Sequence, residues 1–173
     1  KGYSAVGVDE ILQRTGISRC SFYYYFKTKE GFGAELIDRY RHFITQKLER
    51  CLSDTSLSPL GSLRAFVGEV RDEMARTDCR SGCLAGKLAQ EVNTLPENFR
   101  EQLSAVFAEW QDVFARGLKR AKETGEISPE LDCASTAAFF WYGWEGALQR
   151  ANLELNIKPV DIFIGNFFSR LTG

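Results

Sequence analysis

Apolar residues recur along the chain mainly at spacings of three and four, and no stretch of useful length alternates apolar with polar residues. That period is helical, so the sequence predicts helices and no sheet. Val8, Ile11 and Leu12 share one face of a short helix that ends at Arg14, and Thr15-Gly16-Ile17 reads as a tight turn. Ser18 opens a second short helix reaching Phe26, because its hydroxyl oxygen can accept an orphaned N–H of the first turn. A third helix is predicted from near Thr28 to about Leu52, with Phe32, Leu36, Tyr40, Phe43 and Leu48 as its apolar positions. Ser53 to Pro59 is a Ser/Asp/Pro linker. Leu63, Phe66, Val67, Val70 and Met74 then mark one side of a helix over 60–76, followed by a loop over 77–82. A short helix is expected over 83–92, ended by Asn93 and Pro96, and a long one over 96–124, stopped by Gly125. Ser128-Pro129, a cap followed by a first-turn proline, predicts the start of a helix to about Leu155. Pro159 opens the last, through Leu171. The expected fold is all-α, about eight helices, with a small front module and a larger bundle.

Composition narrows this picture. At 173 residues, 44% of them apolar and 26% charged, the chain can bury a core. A net charge of −1 argues, taken whole, against a nucleic-acid binder. The average conceals a division: residues 1–50 carry nine Lys/Arg against six Asp/Glu, net +3, and residues 51–173 carry thirteen against seventeen, net −4. No apolar run approaches the roughly 18 residues of a membrane-spanning helix. The least charged stretch, Cys133 to Trp144, is short and contains Ser135, Thr136 and Gly143. No basic-then-apolar leader pattern opens the chain. Five scattered cysteines, Cys20, Cys51, Cys79, Cys83 and Cys133, do not form a disulfide framework. Cys79 and Cys83 lack the C-x-x-C spacing of a metal site and the single histidine, His42, is distant, so neither metal nor cofactor is expected. The chain reads as soluble, reduced and cytoplasmic, with no membrane partner.

The front module carries the chemistry. Two short helices joined by a three-residue turn containing Gly have the helix-turn-helix layout, and Gly16 stands where a positive φ is needed. Such a second helix lies in the DNA major groove with its first residues toward base edges. Here these are Ser18, Arg19, Cys20 and Ser21, of which Arg19 alone has a bidentate donor suited to guanine O6 and N7. Ser21 suits a phosphate or a base. Tyr23, Tyr24 and Tyr25 offer hydroxyl donors. Lys27 and Lys29 flank the start of the next helix, whose dipole favours an anion. Aromatic residues on short helices are more often core, which is the reading for Phe22 and Phe26. Three consecutive tyrosines, about 100° apart on a helix, cannot all face one core, so at least one is exposed.

Gly2-Tyr3, Val8-Asp9-Glu10-Ile11-Leu12, Gly16-Ile17-Ser18 and the run from Ser21 through Tyr25, Lys27 and Lys29 to Phe32 together resemble the TetR family of transcriptional repressors. The resemblance spans about thirty residues. It implies that Tyr23, Tyr25 and Lys29 meet phosphates and that Arg19, Cys20, Ser21 and Tyr24 face bases. In that family a further helix precedes the Gly-Tyr pair, so the chain is expected to lack it. Two residues depart from the pattern: Gly7 stands where a Ser or Thr cap is usual, and Cys20 where a Gly is frequent. The resemblance divides the chain into a DNA-binding domain over 1–35 and an effector-binding and dimerisation domain over 36–173, with 28–52 as connecting helix.

In the larger domain, Ser81-Gly82-Cys83-Leu84 with Lys87-Leu88 and Glu91-Val92 resembles the N-ethylmaleimide-responsive branch, which senses electrophiles and oxidants through a cysteine. The resemblance implies that Cys83 is the sensor. A helix start and Lys87 four residues on would both favour its thiolate. The alternative is a small buried hydrophobe. Cys79 is either a resolving partner or loop. A reversible apolar pocket is the other effector reading, with Phe107, Trp110 and Trp141 as its lining. The stretch from Phe139 to Leu148 is apolar on nearly all sides, so it is covered from several directions. Phe140, Gly143, Trp144 and Ala147, with Phe163 and Phe167 of the last helix, are therefore the expected homodimer interface, where the resemblance puts a four-helix contact. A crowded core of one chain is the alternative. The whole reads as a homodimeric repressor on a palindromic double-stranded operator, released by a small molecule or by cysteine modification. A regulator with a reversible ligand and no redox role, and a helical protein-interaction module without DNA binding, remain open. Against an enzyme stand the lack of a nucleophile–base constellation, the lack of a phosphate loop and the single histidine.

Overall fold

The computed structural model describes residues 2–172. Among these it contains eight helices and no strand: α1 (Val8–Thr15), α2 (Arg19–Phe26), α3 (Lys29–Leu52), α4 (Pro59–Arg76), α5 (Leu84–Gln90), α6 (Glu97–Glu123), α7 (Cys133–Glu154) and α8 (Lys158–Thr172). None of them is long and apolar enough to cross a membrane. The all-helical expectation and the order of elements hold, and local chemistry explains most ends. Gly16 closes α1 at φ +71°, its N–H bonded to the Leu12 carbonyl. Ser58 caps α4 by accepting from the Gly61 N–H, with Pro59 at the first turn. Gly125, at φ +75°, follows α6.

Two helices differ from expectation. The segment from Ser128 makes a single turn, its hydroxyl accepting from the Glu130 N–H and its carbonyl from the Leu131 N–H. The helix begins only at Cys133, because the Asp132 carboxylate accepts from both Ala134 and Ser135 N–H and so caps more strongly than one hydroxyl. The expected helix over 83–92 is shorter at both ends. After Gln90 the chain turns, and the Glu91 carboxylate accepts from the backbone N–H groups of Tyr3 and Ser4.

The chain forms two compact units. The first comprises the segment ending at Phe43 together with Leu84–Val106; the second comprises Ile44–Cys83 together with the segment from Phe107 onward. The reason is contact at long range. In the first unit Tyr3 packs edge-on against Phe99, with centroids 5.3 Å apart. Gln102 donates to the Ala34 carbonyl. Gly33 allows the approach, since a Cβ there would lie 2.6 Å from Phe99 and 2.7 Å from Tyr3. Phe22, Phe26 and Phe32 meet as a triangle with centroids 5.1–5.5 Å apart, tying α2 to α3.

The second unit is built on aromatic contacts. Phe114 stacks on Phe140 at 4.1 Å, Trp110 on Trp141 at 5.2 Å and Phe140 on Trp144 at 5.7 Å. Helix α7 packs on α8, and Arg71 on α4 holds Asp161 on α8 through two N–H···O bonds of 2.9 and 3.1 Å. Such bidentate pairing adds geometric specificity.

The turn between α2 and α3 gives a test of the first unit. The Gly31 N–H donates to the Thr28 hydroxyl, and a Cβ on Gly31 would lie 2.2 Å from the Phe26 carbonyl oxygen. Backbone on both sides must move, so Gly31→Ala is expected to cost about 1–3 kcal/mol. Thermal unfolding is expected to show a lower midpoint by roughly 2–4 °C for each kcal/mol. An unchanged midpoint would mean the turn relaxes freely.

Candidate DNA interface and buried thiol–carboxyl site

The helix-turn-helix region is positioned by its own short-range bonds. Ser18 has extended backbone, and its hydroxyl accepts from the Ser21 N–H at 3.1 Å and lies 2.9 Å from the Ser21 hydroxyl. The Ser18 side chain is therefore occupied in capping α2. Arg19, Cys20 and Ser21 are all exposed. Arg19 pairs with Asp9 of α1. Phe22 is 1% exposed and Phe26 is half-buried, which satisfies the core of α2. All three tyrosines face outward, Tyr24 and Tyr25 most of all at 71% and 73% exposure. Lys27 adopts φ +61° at the end of α2, and its ammonium lies 5.3 Å from the Tyr24 ring centroid.

Lys29 differs from the rest of the group. Its ammonium donates to the Tyr3 carbonyl at 2.8 Å and lies 4.4 Å from the Tyr3 ring centroid, while the Tyr3 hydroxyl donates to the Lys29 carbonyl. Burial, and then the Glu30 carboxylate, push the Tyr3 hydroxyl above its ordinary pKa, which keeps it a donor. Lys29 thus closes a reciprocal bond within the first unit.

The second cluster lies in the second unit. The loop after α4 is unusual, with Asp78 and Cys79 both at positive φ, +49° and +57°. It is held from α7, where the Asn152 amide donates to the carbonyls of Cys79 at 2.7 Å and Ser81 at 3.2 Å. At the end of this loop Cys83 is 9% exposed and hydrogen-bonded to the Glu145 carboxyl. Burial pushes the pKa of Glu145 up to about 7, and the Cys83 bond only partly offsets this. Its Oε1 atom is buried and has no hydrogen-bond partner. The same is true of Nε1 of Trp141, a residue 2% exposed. Trp141, Glu145 and Asn152 lie four and eleven residues apart on α7, so all three line one face of it.

Of the expected effector residues, Cys83, Phe107, Trp110 and Trp141 fall in the second unit. Phe107 meets Trp110 edge-on at 5.6 Å, and Trp110 stacks on Trp141. The expected electrostatic support for Cys83 is different in kind. Helix α5 has only seven residues and starts after Cys83, Lys87 on it is exposed, and the group bonded to the thiol is acidic. Glu145 was not among the sequence candidates. Its signal was available, as it is the sole charged residue between Asp132 and Arg150.

The expected dimer residues lie mainly inside one chain. Phe140, Trp144, Ala147 and Phe167 are buried. Gly143 admits Phe163 of α8, whose ring would stand 2.3 Å from a Cβ there. What α7 leaves outside is Phe139 at 58% and Tyr142 at 70% exposure, and α8 leaves Ile162. None of the five cysteines is in a disulfide, and Cys20 alone is exposed. Among the described residues no group of three or more His, Cys, Asp or Glu is gathered as metal ligands.

Comparison with known proteins bears on both clusters. Residues 1–36 match the model of bacterial regulatory proteins of the tetR family, and residues 59–167 match that of the tetracyclin repressor-like C-terminal domain. The chain belongs to the TetR family of transcriptional regulators. It is 43% identical over 167 residues to the transcriptional regulator AcuR of Cereibacter sphaeroides, an alignment covering 96% of this chain and 76% of that protein. It is 23% identical over 161 residues to the HTH-type transcriptional repressor NemR of Escherichia coli, covering 93% and 81%. A crystal structure of the regulatory protein TetR from Rhodobacter sphaeroides superposes with a TM-score of 0.93 at 43% identity, covering 96% of this chain and 88% of that one. Members of this family regulate transcription by binding DNA and are not enzymes, so the recognition from residues 2–32 holds.

The raised pKa of Glu145 makes stability depend on pH. Its folded value, about 7, lies above the ordinary glutamate value near 4.3, so between the two the folded state holds more proton than the unfolded. This stabilisation is complete below the unfolded value and is lost as pH rises through about 7. It amounts to roughly 3 kcal/mol at most. Urea unfolding at pH 5 and pH 8 is expected to show that loss in the parent protein and a smaller one in Glu145→Gln. Equal pH slopes in both would place the carboxyl in water.

Proposed function

We propose that this TetR-family chain is a homodimeric repressor that reads a palindromic operator with α2 and leaves it when a small molecule or electrophile acts on the second unit at Cys83. The observation that carries the DNA half is the outward row of Arg19, Cys20, Ser21, Tyr24 and Tyr25 on a helix whose apolar side, Phe22, is fully buried. Arg19 supplies base readout at guanine, Ser21 and the tyrosine hydroxyls supply phosphate and base contacts, and Lys27 adds positive charge at the helix end. Lys29 contributes by holding Tyr3 and the start of α3 in place. Arg19 must exchange Asp9 for the base edge. That exchange is inexpensive, because an exposed ion pair is worth about 0–1 kcal/mol.

For the second copy, α7 and α8 remain the contact. With Phe140, Trp144 and Phe167 occupied within the chain, the contacting stripe is Phe139, Tyr142 and Gly146 on α7 with Ile162 and Gly165 on α8. A Cβ at Gly146 or Gly165 would meet nothing within 4 Å, so both leave room for a close approach. Twofold symmetry then presents two α2 helices to successive major grooves.

Fluorescence anisotropy with the promoter beside the protein's own gene tests the DNA half. Affinity is expected to fall steeply with salt, with a log–log slope of about −0.9 for each phosphate contact. Arg19→Ala is expected to cost about 1–3 kcal/mol, whereas Asp9→Asn tightens binding a few-fold by freeing Arg19. A salt-independent affinity would sink this reading.

The effector half has its own measurement. In a Cys20→Ser background, which removes the exposed thiol of the DNA-reading row, Cys83→Ser is expected to keep operator binding and to lose release by N-ethylmaleimide or quinones. Unaltered release in Cys83→Ser would return Cys83 to a packing role and leave a reversible ligand as the effector.

A further inference from the structure

From the buried cluster on α7 we infer that Cys83 does not act alone: Glu145 takes the thiol proton and the Trp141 indole N–H receives the carbonyl oxygen of an α,β-unsaturated carbonyl compound that adds to Cys83. The inference deepens the sensor reading of Cys83 and rests on it. Three observations support it together. The thiol is hydrogen-bonded to the Glu145 carboxyl, so a proton acceptor is already in contact with the sulfur. The second carboxyl oxygen, Oε1, and the Trp141 Nε1 are both buried without a partner. Buried polar atoms of a folded protein are nearly always paired, so a donor and an acceptor left open one turn apart on the same helix face mark a place for a ligand group.

The surroundings are apolar: Trp141 packs against the rings of Phe66, Trp110, Phe114 and Phe140, so an electrophile at Cys83 would meet aromatic faces and one N–H donor. Asn152 holds the backbone of Cys79 and Ser81 from the same face of α7, so the loop that bears the thiol is fixed against the carboxyl. Cys51 makes the contrast. Its thiol also meets a carboxylate, Glu69, at 3.8 Å, but that carboxylate is committed to Arg50 and no open donor accompanies it.

The step balances. The Cys83 S–H bond breaks, its proton passes to the Glu145 carboxylate, and the sulfur forms a bond to the β-carbon of the electrophile. The C=C π pair moves onto the carbonyl oxygen, where the Trp141 N–H stabilises the negative charge as a preorganised donor. The proton held by Glu145 then passes to the α-carbon. The product is a neutral thioether, and the carboxylate is regenerated.

The role requires Glu145 to be ionised, so the addition rate turns on where that carboxyl titrates. The test is the rate of thioether formation at Cys83, followed by peptide mass mapping on the intact full chain with N-ethylmaleimide and with 2-cyclohexen-1-one, from pH 5.5 to 9. Mapping separates Cys83 from the exposed Cys20. In the parent protein the Cys83 rate is expected to rise with an inflection near pH 7, where Glu145 titrates. Glu145→Gln is expected to lose that inflection and to slow the reaction at pH 7.5 about 100-fold, within the range of a positioned base. Trp141→Phe keeps an aromatic ring but removes the N–H donor, and is expected to keep the inflection while lowering the rate at least tenfold. A Glu145→Gln profile identical to the parent's would overturn the inference while leaving Cys83 as sensor. Absence of any adduct at Cys83 in the parent would overturn both. If Glu145→Gln does not fold, the parent profile decides: a rate that climbs in proportion to hydroxide with no inflection overturns the role of Glu145.

Discussion

A carboxyl group with one buried, unpartnered oxygen is the most demanding constraint in the second unit. Desolvation of a charge is costly unless partners compensate it, and Glu145 has one partner, the Cys83 thiol, which is a weak donor. The group responds by holding its proton more tightly, up to about pH 7. Near neutrality it therefore stands between two states of different charge. Packing alone would favour a Leu or Met at this position. Burial makes the carboxyl expensive, and the Asn152 clamp holds the loop that carries its partner.

The first unit solves the opposite problem, which is to hold a polar, exposed helix still. Helix α2 buries a single residue, Phe22, and eight residues are too few for a stable isolated helix. Its order comes from both ends: the Ser18 cap and Gly16 turn on one side, and the Phe22, Phe26 and Phe32 triangle on the other. The triangle in turn depends on the start of α3, where Gly31 lets the chain pass the Phe26 carbonyl and Lys29 binds Tyr3. Tyr3 and Ser4 are then anchored by Glu91 and Phe99. A recognition surface with almost no core of its own is thereby tied to residues some ninety positions away in sequence.

What the sequence disclosed follows from the range of the interactions involved. The helix-turn-helix was legible because its signals are local: Gly16 at positive φ, Ser18 accepting from an amide three residues on, and apolar positions three and four apart. The start of α7 was missed by a few residues because two local caps compete and a carboxylate at Asp132 outranks a hydroxyl at Ser128. The bond from Lys29 to Tyr3 was not legible because its partner lies 26 residues away. Phe140, Gly143 and Trp144 looked like an interface because an all-apolar helix announces that it is covered without saying by what; the cover proved to be Phe114, Phe163 and Phe167 of the same chain. Glu145 was passed over because its meaning depends on Cys83, 62 residues earlier, although a lone charge in such a helix was itself a signal.

The two clusters are joined by the chain itself. Cys83 is the last residue of its segment in the second unit, and Leu84 begins α5 in the first. Seven residues later Glu91 holds the backbone of Tyr3 and Ser4, and Tyr3 holds Lys29 at the start of α3. A modification at Cys83 can change operator affinity only if it stabilises one arrangement of this path over another. Adding a substituent to a buried thiol meets that condition in two ways. It adds volume beside a buried thiol, and it removes the hydrogen bond the thiol gives a carboxyl that then must either keep its proton or find another donor. On the proposed reading, the thiol is placed where its loss is felt at once by the most strained charge in one unit and by the backbone leading into the other.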